Sequence, residues 1–195
     1  MVETLLDFSR LEKGRKSFAH EKINLGHLVG EVVESFENLD LGQRLRVLPS
    51  AGTHDPIIAA DRAAISQCLH NLIDNALKYS PRESIVTVTT SSTNEEVWVD
   101  VRDEGSGIPP FEQERIFEQF YRGKEIRMQK VGGAGLGLSL VKGIVEANGG
   151  RVTLETRVGV GSTFRLIFPL RGELDAPEPQ ALSPVRASAE RVVAQ

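Results

Sequence analysis

Asn71, Asn75 and Lys78 are the residues of this chain whose types and spacing most clearly suggest chemistry. At about 100° per residue in a helix, the three share one narrow sector. Ile65, Leu69, Leu72, Ile73 and Ala76 fall roughly opposite. Asparagine is a poor helix-interior residue because its side chain competes for backbone hydrogen bonds. Two of them one turn apart, beside an amine, suggest a site for a metal-bound phosphate; the bland alternative is a solvated helix face. A second group, Asp103-Glu104-Gly105-Ser106-Gly107-Ile108-Pro109, directly follows a strand pattern. An aspartate there can accept a hydrogen bond from an exocyclic amine. Gly105 and Gly107 would let backbone approach a flat ring, which Ile108 could wall; the alternative is a plain glycine-rich turn. A third, Gly132-Gly133-Ala134-Gly135-Leu136-Gly137-Leu138, opens a helix. Exposed amides at a helix N-terminus form an anion site. No Lys-Ser or Lys-Thr follows these glycines, so this is not a phosphate loop of the Walker kind. Their spacing also departs from the dinucleotide fingerprint.

Several elements must position these groups. Residues 1 to 13 read as a short amphipathic helix ended by Gly14, too short to stand alone. Residues 17 to 24 look extended. A helix follows from about Leu25 to Asp40, then short strands over Arg44 to Pro49 and Pro56 to Ala60. Asp61 sits where an N-cap belongs, opening the long helix that Ser80-Pro81 closes. Ser84 to Ser91 and Glu95 to Asp103 read as strands, Val97, Val99 and Val101 alternating with Trp98, Asp100 and Arg102. Residues 104 to 134, with a helical patch near Glu112 to Phe120, are too long for an ordinary connection and suggest a functional lid. Phe117 and Phe120 would anchor it. Arg122, Lys124, Arg127 and Lys130 would give it a positive edge. Most of these charges are expected to be a solvated face, with Arg122 the exception because the adjoining aromatics would hold it. A helix from Leu136 to Ala147 and a hairpin of Arg151 to Arg157 with Ser162 to Pro169 follow. The stretch from Arg171 onward is rich in Ala, Pro, Ser and Glu and reads as a disordered tail.

Composition narrows the class. At 195 residues the chain suffices for one good core and not for two large ones. A 40% hydrophobic and 26% charged content is that of a soluble globular protein, and a net charge of −4 gives no support to a nucleic-acid partner. The single cysteine, Cys68, rules out an internal disulfide framework, fits a reducing compartment and is expected to pack. No apolar run is long enough to span a bilayer, and no signal peptide follows Met1.

In order, these motifs resemble those of the ATP-binding catalytic domain of bacterial sensor histidine kinases. Asn71 to Pro81 is similar to the family's N box, Asp103 to Pro109 to the G1 box, Phe117 to Tyr121 to the F box, and Gly133 to Gly137 to the G2 box. Gly159-Val160-Gly161-Ser162-Thr163-Phe164 resembles its last glycine box. The match runs from about Leu5 to Pro169. The resemblance implies an α+β, two-layer sandwich of the Bergerat type, with helices on one face of a mixed, mostly antiparallel sheet and a mobile ATP lid. It implies that Asp103 holds the adenine amine, with Gly105, Gly107 and Ile108 beside the ring and Thr163 supporting the pocket. Asn75 would coordinate Mg2+. Asn71 and Lys78 would contact phosphate, Tyr79 would lie near the nucleotide, and Arg122 would reach the terminal phosphate. Gly133, Gly135 and Gly137, with Leu136 between them, would supply the amide cradle. Asn71, Lys78 and Arg122 would thus be the catalytic set. The implied reaction is phosphoryl transfer from ATP to a histidine nitrogen, driven by positioning and charge neutralisation.

Two other readings stand beside it. Hydrolases of the same fold place a glutamate one turn before the magnesium asparagine; here that position is Asn71, whose amide cannot take a proton at neutral pH. Hydrolysis is therefore disfavoured. A nucleotide-binding module without transfer activity is the third reading. The chain has four histidines, and none is followed by an acidic residue and then a nearby proline, the pattern of a phosphoacceptor. His20 comes closest, in an extended segment; His27 and His70 read as helix-surface residues and His54 as a loop residue. Leu5 to Gly14 resembles the end of a dimerisation hairpin. The expectation is a C-terminal kinase part with three segments: residues 1–14 the end of a dimerisation helix, 15–170 the catalytic domain, 171–195 the tail. The expected partners are the parent kinase's phosphoacceptor hairpin and a response regulator. Dimers are expected only with the full hairpin, and neither nucleic acid nor membrane contact from this chain. Its expected place is the cytoplasm, within a parent that could be membrane-bound.

Overall fold

The computed structural model of the chain describes residues 18–37, 44–51, 57–123 and 134–170. The expected hairpin end, the tail, His54, Gly133, Lys124, Arg127 and Lys130 lie outside the described residues. In chain order the elements are β1 (Glu21–Asn24), α1 (Leu25–Glu37), β2 (Leu45–Ala51), β3 (Ile57–Ala60) and α2 (Arg62–Tyr79), then β4 (Val86–Ser92) and β5 (Glu96–Asp103). Two 3-10 turns, Pro110–Glu112 and Arg115–Phe117, precede α3 (Gly137–Ala147), β6 (Arg151–Arg157) and β7 (Gly161–Pro169).

A five-stranded sheet runs in the order β2-β4-β5-β7-β6. Its β2–β4 pair is parallel and the others antiparallel. A separate antiparallel pair joins β1 to β3 with Ile23 opposite Ile58. The alternation expected of the second strand holds. Val97, Val99 and Val101 are buried and face the helices, beside Val88 of β4 and Leu166 of β7. On the other face Arg165 donates to both carboxylate oxygens of Asp100 (2.6 and 2.8 Å), its guanidinium 5.3 Å from the Trp98 ring centre. The expected two-layer arrangement, helices on one face of a mixed, mostly antiparallel sheet, is the observed one.

Helix α2 owes its start to Asp61. One carboxylate oxygen accepts from the Ala64 N–H (2.9 Å), and the other accepts from Ala19 (3.0 Å). Asp61 also donates its own N–H to the buried Asn148 side chain (2.9 Å), whose amide donates to the Ile144 carbonyl (2.8 Å). The end of α3 is thereby tied to the start of α2. The apolar stripe read from the sequence is the buried one: Ile65, Leu69, Leu72, Ile73 and Ala76 are all 4% exposed or less. Cys68 is fully buried, its thiol 3.9 Å from the Val141 carbonyl of α3, in the packing role expected.

Three sequence expectations need correction. The helical patch near Glu112 to Phe120 is a pair of 3-10 turns ending at Phe117 rather than one continuous helix, and Phe120 beyond them takes a left-handed φ of 59°. Only one of the two lid aromatics is anchored. Phe117 packs edge-on against Phe164 with ring centres 6.4 Å apart, whereas Phe120 is 60% exposed. His70 is half-buried rather than a surface residue. Its ring lies 5.2 Å from that of Phe36, and burial lowers its pKa, partly offset by Asp74. His27 is exposed, as expected.

Candidate functional site

The C-terminal half of α2 touches two separate parts of the site. At one, Asn71 and Asn75 face the start of α3: a Cβ added at Gly137 would lie 3.6 Å from Asn71 Oδ1 and 3.9 Å from Asn75 Nδ2. Leu136 occupies the N-cap of α3 and makes no side-chain cap. The first amides of that helix have no partner within it, so they and the two asparagines border one polar space. Gly135 must be glycine here. Its φ is +71°, and a Cβ would meet the Phe120 and Tyr121 backbone at 2.8 Å. The structure places Asn71 and Asn75 beside Gly137, with Leu136 and Gly135 immediately before it in the chain. Lys78 is placed differently. It pairs with Asp74, one turn back, and both side chains are near half-exposed. A surface pair of this kind is weak, which leaves the ammonium available to a stronger anion.

At the other part, the Tyr79 carbonyl at the end of α2 would be 2.7 Å from a Cβ on Gly105. The end of α2 is held in place by Arg44, whose guanidinium donates to the carbonyls of Leu77 (3.2 Å), Pro81 (2.6 Å) and Ser84 (3.2 Å). A cation at a helix C-terminus also opposes the helix dipole. Nothing in the spacing around Arg44 marked it for this task.

Asp103 ends β5, 8% exposed, on the helix-facing side of the sheet. Its Oδ1 accepts from the N–H groups of Gly105 (2.8 Å) and Ser162 (3.2 Å). Among the described residues its Oδ2 takes no hydrogen bond. Burial pushes the Asp103 carboxyl above its ordinary pKa, against the pull of the two backbone donors.

The loop after Asp103 is clasped by the β6–β7 hairpin. Gly159 donates its N–H to the Ser106 carbonyl (2.7 Å), and Ile108 donates to Thr156 Oγ1 (3.0 Å). This changes the reason for the glycines. Gly107, at φ +69°, has the Arg157 carbonyl 2.2 Å from where a Cβ would be, so its close neighbour is protein backbone rather than a ring. Gly161, at φ +130°, has the Asp103 carbonyl at 2.1 Å. Gly161→Ala is therefore expected to destabilise the fold by about 2–4 kcal/mol and to displace Asp103. Urea unfolding checks this; an unchanged midpoint would mean that the approach is looser than described.

Thr163 is not beside Asp103. It lies opposite Arg102 in β5 and Glu155 in β6, on the sheet face away from the helices. Its neighbour Ser162 is directly opposite Asp103 and 5% exposed. Thr156 and Ser162 are the residues that sequence reasoning missed. The last glycine motif contained the signal for Ser162, but the choice between adjacent residues depends on register. In the lid segment, Arg122 is half-buried and already engaged in a contact. The Tyr121 ring beside it carries the Arg115 guanidinium at 4.4 Å. The buried Glu112 lies against Gly123, where a Cβ would be 2.7 Å from its carboxylate.

Residues 60–172 match the family model described as histidine kinase-, DNA gyrase B-, and HSP90-like ATPase. The chain belongs to this ATPase family. Both parts of the site described above fall within the matched span. Among histidine kinases, the chain is 33% identical over 175 residues to the sensor histidine kinase WalK of Bacillus subtilis, covering 89% of this chain and 28% of that one. It is 31% identical over 169 residues to the sensor-like histidine kinase SenX3 of Mycobacterium tuberculosis, covering 87% and 41%. The chain thus spans less than half the length of these curated relatives. The solved catalytic domain of the histidine kinase ThkA, in a nucleotide-free form, superposes with a TM-score of 0.65 at 30% identity, over 79% of this chain and 98% of that domain. Full-length ShkA in complex with AMPPNP gives 0.72 at 28% identity, over 86% and 35%. The family fold is therefore the Bergerat sandwich expected from the motifs, and the domain is of the ATP-binding catalytic kind found in sensor histidine kinases.

Proposed function

We propose that this domain binds ATP with Mg2+ and transfers its terminal phosphate to a histidine on a dimerisation hairpin. The observation that carries this reading is the juxtaposition of Asn71 and Asn75 with the uncapped start of α3, while Asp103 offers a buried acceptor next to the end of the same helix. One helix thus relates a phosphate end to a base end. Asp103 Oδ2 would accept from the adenine amine, with Gly105 and Ile108 along the ring, while Gly107 lets the loop pack against the Arg157 backbone. Ser162 takes the supporting position that the resemblance gave to Thr163. Asn71, Lys78 and the amides of Gly135 and Gly137, with those of Gly133 and Leu136, would hold phosphate oxygens. Tyr79 would lie near the nucleotide, and Arg122 would reach the terminal phosphate once released from its present contact.

The Asn75 amide oxygen suits Mg2+, a hard cation that shares its ligands with phosphates and needs few from protein. Among the described residues no group of three or more His, Cys, Asp or Glu could hold a metal alone. The ion would neutralise charge on the phosphates. Asn71 supplies no base for water, which favours transfer to a protein acceptor over hydrolysis.

The catalytic unit would span residues 15–170, with residues 1–14 ending a dimerisation helix and 171–195 a tail. Its partners would be the parent's hairpin and a response regulator, and its place the cytoplasm. No helix among the described residues is long and apolar enough to cross a membrane.

ATP labelled on its terminal phosphate tests this. Incubated with Mg2+ and the chain alone, it should leave no acid-labile label on protein. With a separate histidine-bearing hairpin added, label should appear on the hairpin. Steady phosphate release without an acceptor would point to hydrolysis. ATP binding with no label on any of several hairpins would point to a binding module.

A further inference from the structure

We propose that Thr156 is a positioning residue that makes the Ser162 hydroxyl a hydrogen-bond acceptor, and so sets the choice of adenine over guanine. The proposal rests on the nucleotide-binding reading above. Thr156 Oγ1 has three polar neighbours: the Ile108 N–H at 3.0 Å, the Gly161 carbonyl at 3.1 Å and Ser162 Oγ at 3.0 Å. A threonine hydroxyl has one proton and two lone pairs. The Ile108 amide can only donate, so it takes one lone pair. The Gly161 carbonyl can only accept, so it calls for the proton. The contact with Ser162 must then be donated by Ser162 into the second lone pair. The opposite assignment would leave two oxygens 3.1 Å apart with no proton between them. With its own proton spent on Thr156, Ser162 Oγ keeps only lone pairs for anything entering the pocket.

Ser162 lies directly across from Asp103. Asp103 Oδ1 is filled by the Gly105 and Ser162 amides, and Oδ2 is an acceptor as long as the carboxyl is ionised. The two residues therefore present acceptors to one end of the pocket. Adenine carries an amino donor at its six-position, where guanine carries a carbonyl acceptor. The first is complementary to this wall and the second repelled by it. The same hydroxyl also fixes the loop, because the Ile108 amide bonds to it. Loss of Thr156 would thus combine a general weakening with a specific change in base preference, and only the second bears on the proposal.

The test is competition of ATP and of GTP, each with Mg2+, against a fluorescent adenine nucleotide on the whole chain. Wild type, Thr156→Val, Thr156→Ser, Ser162→Ala and the Ser162→Ala, Thr156→Ser double variant would be compared. Thr156→Val should lower ATP affinity by about three- to tenfold, the size of one net hydrogen bond, and GTP affinity less, so that the ATP:GTP ratio falls. Thr156→Ser should restore the ratio. Ser162→Ala should lower the ratio without touching the bond from Ile108, and it carries the test should the valine variant fail to fold. Adding Thr156→Ser to Ser162→Ala should change the ratio no further. An unchanged ratio in both Thr156→Val and Ser162→Ala, or proportional loss of both nucleotides, overturns the role of Thr156 while leaving nucleotide binding intact. A wild-type chain that binds neither nucleotide overturns the underlying reading, and the role of Thr156 with it.

Discussion

Asn75→Ala is expected to lower magnesium-dependent phosphoryl transfer to an added hairpin by about 10²–10³-fold, the loss typical of one preorganised group acting on developing charge. The substitution should cost little stability. Asn75 is half-buried on the polar side of α2, and alanine is the better helix former. The apolar stripe that attaches the helix to the sheet is untouched, because Leu72, Ile73 and Ala76 turn the other way. The same reasoning gives Asn75→Asp a different outcome. An added negative charge would attract the cation but repel the phosphates, so partial activity with altered metal preference is expected. Two measurements separate the explanations: nucleotide affinity with and without magnesium, and circular dichroism of the variant. Full retention of transfer by Asn75→Ala would reduce the residue to a helix-surface amide.

Asn75 was legible in the sequence because helical periodicity is local: residues 71, 75 and 78 share a face whatever the rest of the chain does. The Asp61 cap and the alternation of Val97, Val99 and Val101 were legible for the same reason. The misreadings share another cause, in that each depended on a partner far along the chain. Gly107 is constrained by the Arg157 carbonyl, and no pattern within the motif around Asp103 reports that neighbour. Ser162 rather than Thr163 supports Asp103, since the β5–β7 register puts Asp103 against Ser162 and Arg102 against Thr163. Shifting that register by one residue would exchange them. Arg44 shows the limit most plainly. It lies among residues with no recognisable motif, and its importance comes only from the carbonyls that α2 and the following turn bring to it. Lys78 is legible as a cation on the right face, but its pairing with Asp74 is an option that the spacing allowed and did not decide.

Asp103→Asn should separate binding from stability. Asparagine can accept the Gly105 and Ser162 amides through its carbonyl oxygen as the carboxylate does through Oδ1. Its NH2 then replaces Oδ2, setting a donor against the donor of the adenine amine. Loss of a charge-assisted bond plus that mismatch should weaken ATP binding by roughly a hundredfold. Stability should hold or rise near neutral pH, and the sign follows from the carboxyl's raised pKa. Between the ordinary aspartate value of 3.8 and the higher folded value, the native state holds more protons than the unfolded one. Stability from this group therefore falls as pH rises through that window, because a charge is being formed in a buried place. Asparagine removes the charge and hence that cost. Binding runs the other way with pH. The acceptor requires the ionised carboxylate, so ATP affinity of the wild type should decline on acidification, beginning above the range of an exposed aspartate. The decline should be absent from Asp103→Asn once the phosphates' own titration is subtracted. Calorimetric titration at several pH values, alongside thermal unfolding, would measure both. A variant that binds ATP as tightly as the wild type would remove Asp103 from the base-binding role. One that unfolds at a much lower temperature would mean that the carboxylate's bonds to Gly105 and Ser162 hold the loop more strongly than burial of the charge opposes them.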